Sequence, residues 1–196
     1  MEENDRLEIF KTHQPIHLGA LDETAARELI RDPVANQVAY PEEAIRAILG
    51  LSGRLPYLIQ LLCSQLMNTS HVRRYGAVRK KDVDDIAETI VKDPASKMHL
   101  GVLYMDFKEM ENGRPWKALC ALAHLANEPG QHVPLVQIVQ RLTQHESMAN
   151  ASEAVTELME KLVKAGVVEE WGQGRLRTYR LTPDLLRLWL RKRHAN

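Results

Sequence analysis

Apolar residues recur at helical spacing in four segments of the first hundred residues, and residues that start or stop helices bound each segment. Asp22 offers an N-cap to the first segment, and Pro33 ends it. Pro41 and Pro56 are well placed as the first residues of the second and third helices. The spacing therefore predicts a bundle of four helices. Its apolar positions are Ala25, Ala26, Leu29 and Ile30; Ala44, Ile45, Ile48 and Leu49; Leu55, Leu58, Ile59, Leu62, Cys63 and Leu66; and Val83, Ile86, Ala87, Ile90 and Val91.

The chain changes character after this bundle. Residues 68–81, before the fourth helix, are polar and basic, which predicts a loop. Between residues 96 and 111, Leu100, Leu103, Phe107 and Met110 form a narrow apolar stripe typical of a connecting helix. The sequence Asn-Gly-Arg-Pro at 112–115 then breaks the chain. We place a domain boundary in this region.

The remaining residues predict three helices, a β-hairpin and a closing helix. The third helix begins at Asn150, which forms a capping box with Glu153. Residues 167–171 and 175–181 flank a Gly-Gln-Gly turn and alternate charged with apolar groups, which indicates two paired strands. Residues 183–191 are leucine-rich and close the chain as a helix. Three helices followed by a hairpin is the order of a winged helix, a variant of the helix-turn-helix.

Composition narrows the function classes. Lys plus Arg equals Asp plus Glu at 26 each, so no global charge draws the chain toward nucleic acid or an anionic membrane. Cys63 and Cys120 are isolated, which argues against a zinc site or a disulfide framework and indicates core residues in a reducing cytoplasm. No apolar run is long enough for a membrane helix, and the acidic start is unlike a signal peptide. We expect a cytoplasmic protein with no membrane partner.

No catalytic constellation is visible in the sequence. The eight histidines are dispersed, so a metal site is not expected, and no serine has a neighbouring His and Asp pattern. The phosphate-cradling pattern G-x-x-x-x-G-K-[ST] occurs nowhere. The chain is therefore predicted not to be an enzyme and not to be a complete ATPase.

Three local motifs carry a family resemblance. The sequence HLGALDE at 17–23 resembles the last strand of a nucleotide-binding core, GRLP at 53–56 resembles the G-x-P segment that opens a lid helix, and YRLTPDLLRLW at 179–189 resembles the closing segment of prokaryotic members. In this order the motifs resemble the C-terminal part of a P-loop ATPase of the AAA+ and STAND kind. The resemblance implies a mainly α fold with a four-helix, lid-type bundle at 22–95, a connecting helix at 96–113 and a winged-helix domain with a small β-hairpin at 114–196. Residues 1–21 would be a remnant of the core or a linker.

In that family the lid helix begins beside the adenine, so the resemblance makes Gly53, Arg54 and Pro56 nucleotide-adjacent candidates. A proline at a helix start offers a rigid apolar face and leaves free amides at the positive end of the helix dipole. The family pattern usually has another residue where Arg54 stands, so no sensor role is assigned to it. A purely structural role, in which Gly53 ends one helix and Pro56 starts the next, stays open. Met98 and His99 do not match a Met-His-Asp triplet, because Leu100 follows.

Charge distribution bears on DNA binding. The predicted recognition helix carries Glu153, Glu157 and Glu160 against two lysines, a poor footprint for a phosphate backbone. The hairpin is basic, and Arg175, Arg177 and Arg180 are candidate contacts for nucleic acid or an acidic partner. A solvated strand face explains the same arginines.

The leading hypothesis is a regulatory fragment of a STAND or AAA+ ATPase, a nucleotide-dependent switch and protein-interaction or oligomerisation arm that holds no cofactor of its own. ATP or ADP would bind in the full-length protein. The expected partner is the missing P-loop core in cis, and an apolar surface left by that core would favour self-association. Two alternatives stay open. One is a DNA-binding winged-helix regulator or initiator, and the other is a free-standing protein-interaction adaptor.

Overall fold

A computed structural model describes residues 19–95, 100–101, 104, 106–143 and 148–193 of the chain. The protein is mainly helical and carries a small three-stranded antiparallel sheet, which confirms the predicted mainly α class. Within these residues no helix has both the length and the apolar composition needed to cross a bilayer. Most of the predicted core remnant at 1–21, and the pair Met98 and His99, lie outside the described residues.

The four predicted helices of the first half are present. Asp22 caps the first, because its carboxylate accepts a hydrogen bond of 2.9 Å from the amide of Ala25. Pro56 is the first residue of the third, as predicted, whereas Pro41 occupies the N-cap position of the second. The helices of this half are α1 (Glu23–Arg31), α2 (Glu42–Ser52), α3 (Pro56–Met67), α4 (Ser70–Tyr75) and α5 (Lys80–Lys92), with a 3-10 turn at Asp32–Val34.

Helix α4 corrects the prediction of a loop over residues 68–81. Thr69 caps it, since the Thr69 hydroxyl accepts a hydrogen bond of 3.3 Å from the amide of Val72. Gly76 ends it with a left-handed φ of 62°. A parallel bridge between Ala39 and Ala77 ties the segment to the chain before α2. Among the described side chains of this short helix only Val72 is buried, which explains the weak apolar signal in the sequence.

The connecting region is broken where the sequence predicts. Helix α6 (Asp106–Glu109) continues into a 3-10 turn at Met110–Gly113. Glu111 and Asn112 adopt left-handed φ values of 47° and 58°, which stops the helix before the next one starts. The connecting helix predicted for residues 96–111 lies partly outside the described residues.

The described residues of the second half form four helices and the sheet. The predicted pairing of two strands is present: β2 and β3 are antiparallel, with Val168 opposite Leu181 and Trp171 opposite Thr178. The second strand is shorter than the predicted 175–181, because Gly174–Leu176 form a 3-10 turn and the strand begins at Thr178. Strand β1 was not predicted; it pairs with β3 and makes the sheet order β1-β3-β2. The elements are α7 (Arg114–Leu125), β1 (Val133–Pro134), α8 (Leu135–Leu142), α9 (Met148–Lys164), β2 (Val168–Trp171), a 3-10 turn (Gly174–Leu176), β3 (Thr178–Leu181) and α10 (Asp184–Arg193). Helix α9 begins two residues before the predicted N-cap, Asn150.

One cluster of buried apolar side chains runs through both halves of the described structure. Helix α10 packs on α7 and also contacts α2 and α5 of the first half. Its Leu186 and Trp189 are almost completely buried, and the Trp189 ring meets that of Trp116 edge to face with centroids 6.0 Å apart. This cluster includes residues on both sides of the boundary predicted near residues 96–113.

Candidate functional site

Gly53 lies at the contact between the first helices and the closing segment of the chain. It ends α2 with a left-handed φ of 57°. A Cβ at this position would lie 2.9 Å from the carbonyl of Thr182 and 2.9 Å from the nitrogen of Pro183. Both the backbone conformation and this close approach require glycine. The turn that the sequence singled out is thus pressed against the start of α10.

Arg54 also has a left-handed backbone, with a φ of 61°, a conformation that costs a non-glycine residue about 1 kcal/mol. Two hydrogen bonds hold it. The Arg54 amide donates to the buried Ser52 hydroxyl at 3.2 Å, and the Arg54 carbonyl accepts from the amide of Leu21 at 3.0 Å. Its guanidinium forms no hydrogen bond or ion pair with any residue that the structure describes. The backbone of Arg54 is therefore held in place, whereas its guanidinium has no partner among the described residues.

Pro56 faces an open groove of about 460 Å³. The walls of the groove are mostly apolar and come from the start of α1, its C-terminal end and the first turn of α3. The lining residues are Leu21, Ala25, Glu28, Leu29, Asp32, Pro33, Pro56 and Gln60. The groove lies at the N-terminal end of α3, where the helix dipole is positive. Its mostly apolar walls suit a flat ring.

A polar cavity of about 390 Å³ lies on the other side of the same turn, between α1, α2 and the sheet. Four arginines line it: Arg27, Arg46, Arg54 and Arg180. Arg27 is bonded to Glu42 at 2.8 Å and to Glu23 at 2.8 Å. The hydrogen bond from Arg27 lowers the pKa of the Glu42 carboxyl, which therefore stays ionised. The sequence gives no sign of this cluster, because α1, α2, the turn and β3 are brought together only by folding.

Two of the three predicted hairpin arginines are engaged within the chain. Arg177 forms ion pairs with Glu160 of α9 at 3.1 Å and with Glu170 at 3.2 Å. Arg180 lies 2.6 Å from Glu169 on the neighbouring strand. The side chain of Arg175 lies outside the part that the structure describes. These pairs leave Arg177 and Arg180 with little uncompensated positive charge for a phosphate backbone.

The two cysteines are poor candidates for chemistry. Burial raises the pKa of the Cys63 thiol to about 11, and burial raises that of Cys120 to about 11. The thiol is the inert form of the side chain, so neither cysteine is an activated nucleophile. No group of three or more His, Cys, Asp or Glu side chains that suits a metal ion occurs within the described ranges.

Comparison of the chain with protein-family models, with curated proteins and with solved structures finds no match.

Proposed function

We propose that this chain is the regulatory arm of a nucleotide-dependent switch, which acts through conformational change and protein contact and has no catalytic activity of its own. By the resemblance stated above, it is the lid and winged-helix part of a STAND or AAA+ ATPase. A P-loop core joined in cis supplies the phosphate-binding part of the ATP or ADP site, and the groove beside Pro56 receives the base. The turn from Gly53 to Pro56 is where a nucleotide on that core acts on the arm.

The observation that carries this proposal is the position of that turn, which contacts three parts of the molecule at once. Leu21, where the chain enters α1, bonds to Arg54. Gly53 touches Thr182 and Pro183, where β3 leads into α10. Pro56 starts α3 and lines the apolar groove. Because backbone atoms make these contacts, a shift of the turn displaces α10 as well.

The second half supports the winged-helix interpretation by its element order. A helix, a short strand, two helices and a hairpin follow one another from α7 to β3, and the first strand adds to the hairpin to make a three-stranded sheet. This order is similar to that of winged-helix domains. The exposed Glu153, Glu157 and Glu160 on α9 favour a protein contact over a duplex for this half.

Hydrogen exchange of the full chain in millimolar MgADP tests the proposal. We expect slower amide exchange in the first turn of α3 and also in Thr178–Leu181 and α10, because the turn links them. The Pro56→Ala variant should lose both effects, whereas Pro94→Ala, an exposed proline outside the groove, should keep both. Slower exchange in only one of the two regions, or in neither, would contradict the proposal.

The partner in cis can be tested separately. Sequencing the transcript upstream of the codon for Met1 should reveal an in-frame P-loop pattern. An in-frame stop codon there would instead favour the free-standing adaptor.

A further inference from the structure

We propose that the arginine-lined cavity between α1, α2 and the sheet binds a compact oxoanion of the phosphate class. The cavity joins the two halves of the molecule, since Arg27 lies on α1, Arg46 on α2 and Arg180 on β3. Arg54 contributes from the turn between α2 and α3. This inference rests on the chemistry of the cavity and goes beyond the proposed function, because it requires neither a nucleobase nor a P-loop core.

The hydrogen-bond donors of the cavity divide into occupied and open ones. Arg27 is occupied, because its guanidinium bonds to Glu23 and Glu42. Arg46 uses Nε for Glu42 at 3.1 Å, and its two terminal nitrogens form no hydrogen bond with the described residues. Arg180 uses Nε and Nη2 for Glu169, and its Nη1 lies 3.7 Å from the position that a Cβ on Gly130 would take. Together with Arg54, three arginines that line one cavity thus have guanidinium nitrogens without a partner among the described residues.

The charges of the cavity favour an anion. The four arginines face three carboxylates, those of Glu23, Glu42 and Glu169. Each carboxylate is paired with an arginine, so one positive charge remains, and Arg54 carries it. A guanidinium presents parallel N–H groups that match two oxygens of a phosphate. A small oxoanion would balance this positive charge and accept hydrogen bonds from the surrounding guanidinium groups.

The backbone conformation of Arg54 favours a binding role for its side chain. Glycine would adopt its left-handed backbone without strain, and an arginine is uncommon there. Strain of this kind concentrates at ligand sites, where the surrounding structure holds the residue in place. Ser52 and Leu21 hold its backbone, so the side chain projects from a fixed point beside the cavity.

Isothermal titration of the full chain with inorganic phosphate at constant ionic strength tests this site. We expect saturable binding, and we expect the Arg54→Gly variant to lose at least about tenfold in affinity, the effect of removing a charge-assisted hydrogen bond. The thermal midpoint of Arg54→Gly should be equal or higher, because glycine relieves the backbone strain. Arg54→Lys keeps the positive charge but lacks the parallel N–H groups of a guanidinium. Its affinity for phosphate should lie between those of the parent and of Arg54→Gly. Arg141→Ala removes an exposed arginine outside the cavity and should bind as the parent does.

Two further titrations, with AMP and with ATP, distinguish the source of the anion. Equal affinities for phosphate, AMP and ATP indicate a free phosphate or phosphomonoester. If ATP binds more tightly than phosphate and Pro56→Ala removes this difference in affinity, the anion belongs to a nucleotide that also occupies the groove. Absence of phosphate binding by the parent chain, or unchanged affinity in Arg54→Gly, would overturn the site. Phosphate binding without any effect of MgADP on α10 would retain the site and reject the proposed switch.

Discussion

The guanidinium of Arg187 bonds both carboxylate oxygens of Asp184, at 2.6 Å from Nε to Oδ1 and 3.0 Å from Nη2 to Oδ2. Both residues are buried, with 5% and 8% of their surface exposed. The remaining nitrogen of Arg187 donates to the carbonyl of Ala126 at 3.3 Å, just beyond the end of α7. Arg191 donates to the same carbonyl at 2.8 Å. A buried ion pair of α10 therefore caps the C-terminus of α7 and fixes the packing of the two helices.

The Arg187→Met variant should be strongly destabilised, by about 3–5 kcal/mol, because it leaves a buried carboxylate without its partner. Urea unfolding followed by circular dichroism measures the loss. Adding Asp184→Asn to Arg187→Met should recover part of it, since the second change removes the unpaired charge. Arg193→Met is the matched control: Arg193 is exposed over the Trp189 ring and should cost about 1 kcal/mol or less. A loss for Arg187→Met as small as that of Arg193→Met would show that the pair does not stabilise the fold.

Two glycines three residues apart allow a second test. Gly53→Ala places a methyl group 2.9 Å from the backbone of Thr182 and Pro183 on a residue with positive φ, so we expect a loss of about 2 kcal/mol or more. Gly50 lies inside α2 with open space around it, so Gly50→Ala should stabilise the protein by about 0.5–1 kcal/mol. Opposite shifts of the thermal midpoint are the expected result. Shifts of the same sign would mean that the backbone of Thr182 and Pro183 moves away from a methyl group on residue 53 at little cost in stability.

Local signals predicted the helix ends of the first half. Asp22 and Pro56 act within one turn of their own positions, so their neighbours in sequence are enough to identify them. The two elements that the sequence missed depend on distant residues. Strand β1 has two residues and exists through its pairing with β3, and α4 has few apolar residues and relies on Val72 and on its caps. Neither carries a period long enough to detect.

The site shows the same division between local and distant information. The turn at Gly53 and Pro56 was identified from sequence, because glycine and proline mark backbone geometry. The four arginines of the cavity span positions 27 to 180 and share no motif, so no spacing rule joins them. Arg187 lies close in sequence to the basic residues at 191–193, whereas the structure buries it against Asp184. Burial of a charged residue depends on its partner, and the partner's position follows from the tertiary fold.

Acid should weaken the start of α5. The carboxylate of Asp82 is buried and accepts hydrogen bonds from the Arg79 amide at 2.8 Å and from the Arg79 guanidinium at 2.7 Å. The guanidinium bond lowers the pKa of Asp82 below its usual value. A carboxyl whose pKa is lower in the folded state stabilises the protein above the unfolded pKa of about 3.9, and this contribution is lost as pH falls further.

The Asp82→Asn variant tests that pH dependence. We expect it to be less stable than the parent at neutral pH by about 1 kcal/mol, the usual value of such a cap. The difference should shrink below pH of about 4, because the parent then loses the same ionised group. Thermal melts of both proteins across this range provide the measurement, and Asp84→Asn, on the exposed side of α5, is the control. A stability difference that stays constant with pH would show that the ionised carboxylate is not what Asp82 contributes.

Duplex binding should be weak, because Arg177 and Arg180 of the hairpin form ion pairs within the chain. Glu160 and Glu170 neutralise Arg177, and Glu169 neutralises Arg180, so few counterions would be released from DNA by this surface. In a fluorescence titration at physiological salt we expect a labelled duplex to bind no tighter than non-specifically, about 10⁻⁴–10⁻⁶ M. The double variant Arg175→Ala and Arg177→Ala should change this affinity little.

Glu160→Gln with Glu170→Gln removes the two carboxylates that pair with Arg177, so this double variant should bind the duplex more tightly and with a steeper salt dependence. Tight binding by the parent that the double arginine variant abolishes would instead favour the DNA-binding alternative, and it would mean that the ion pairs with Glu160 and Glu170 open in the presence of phosphate.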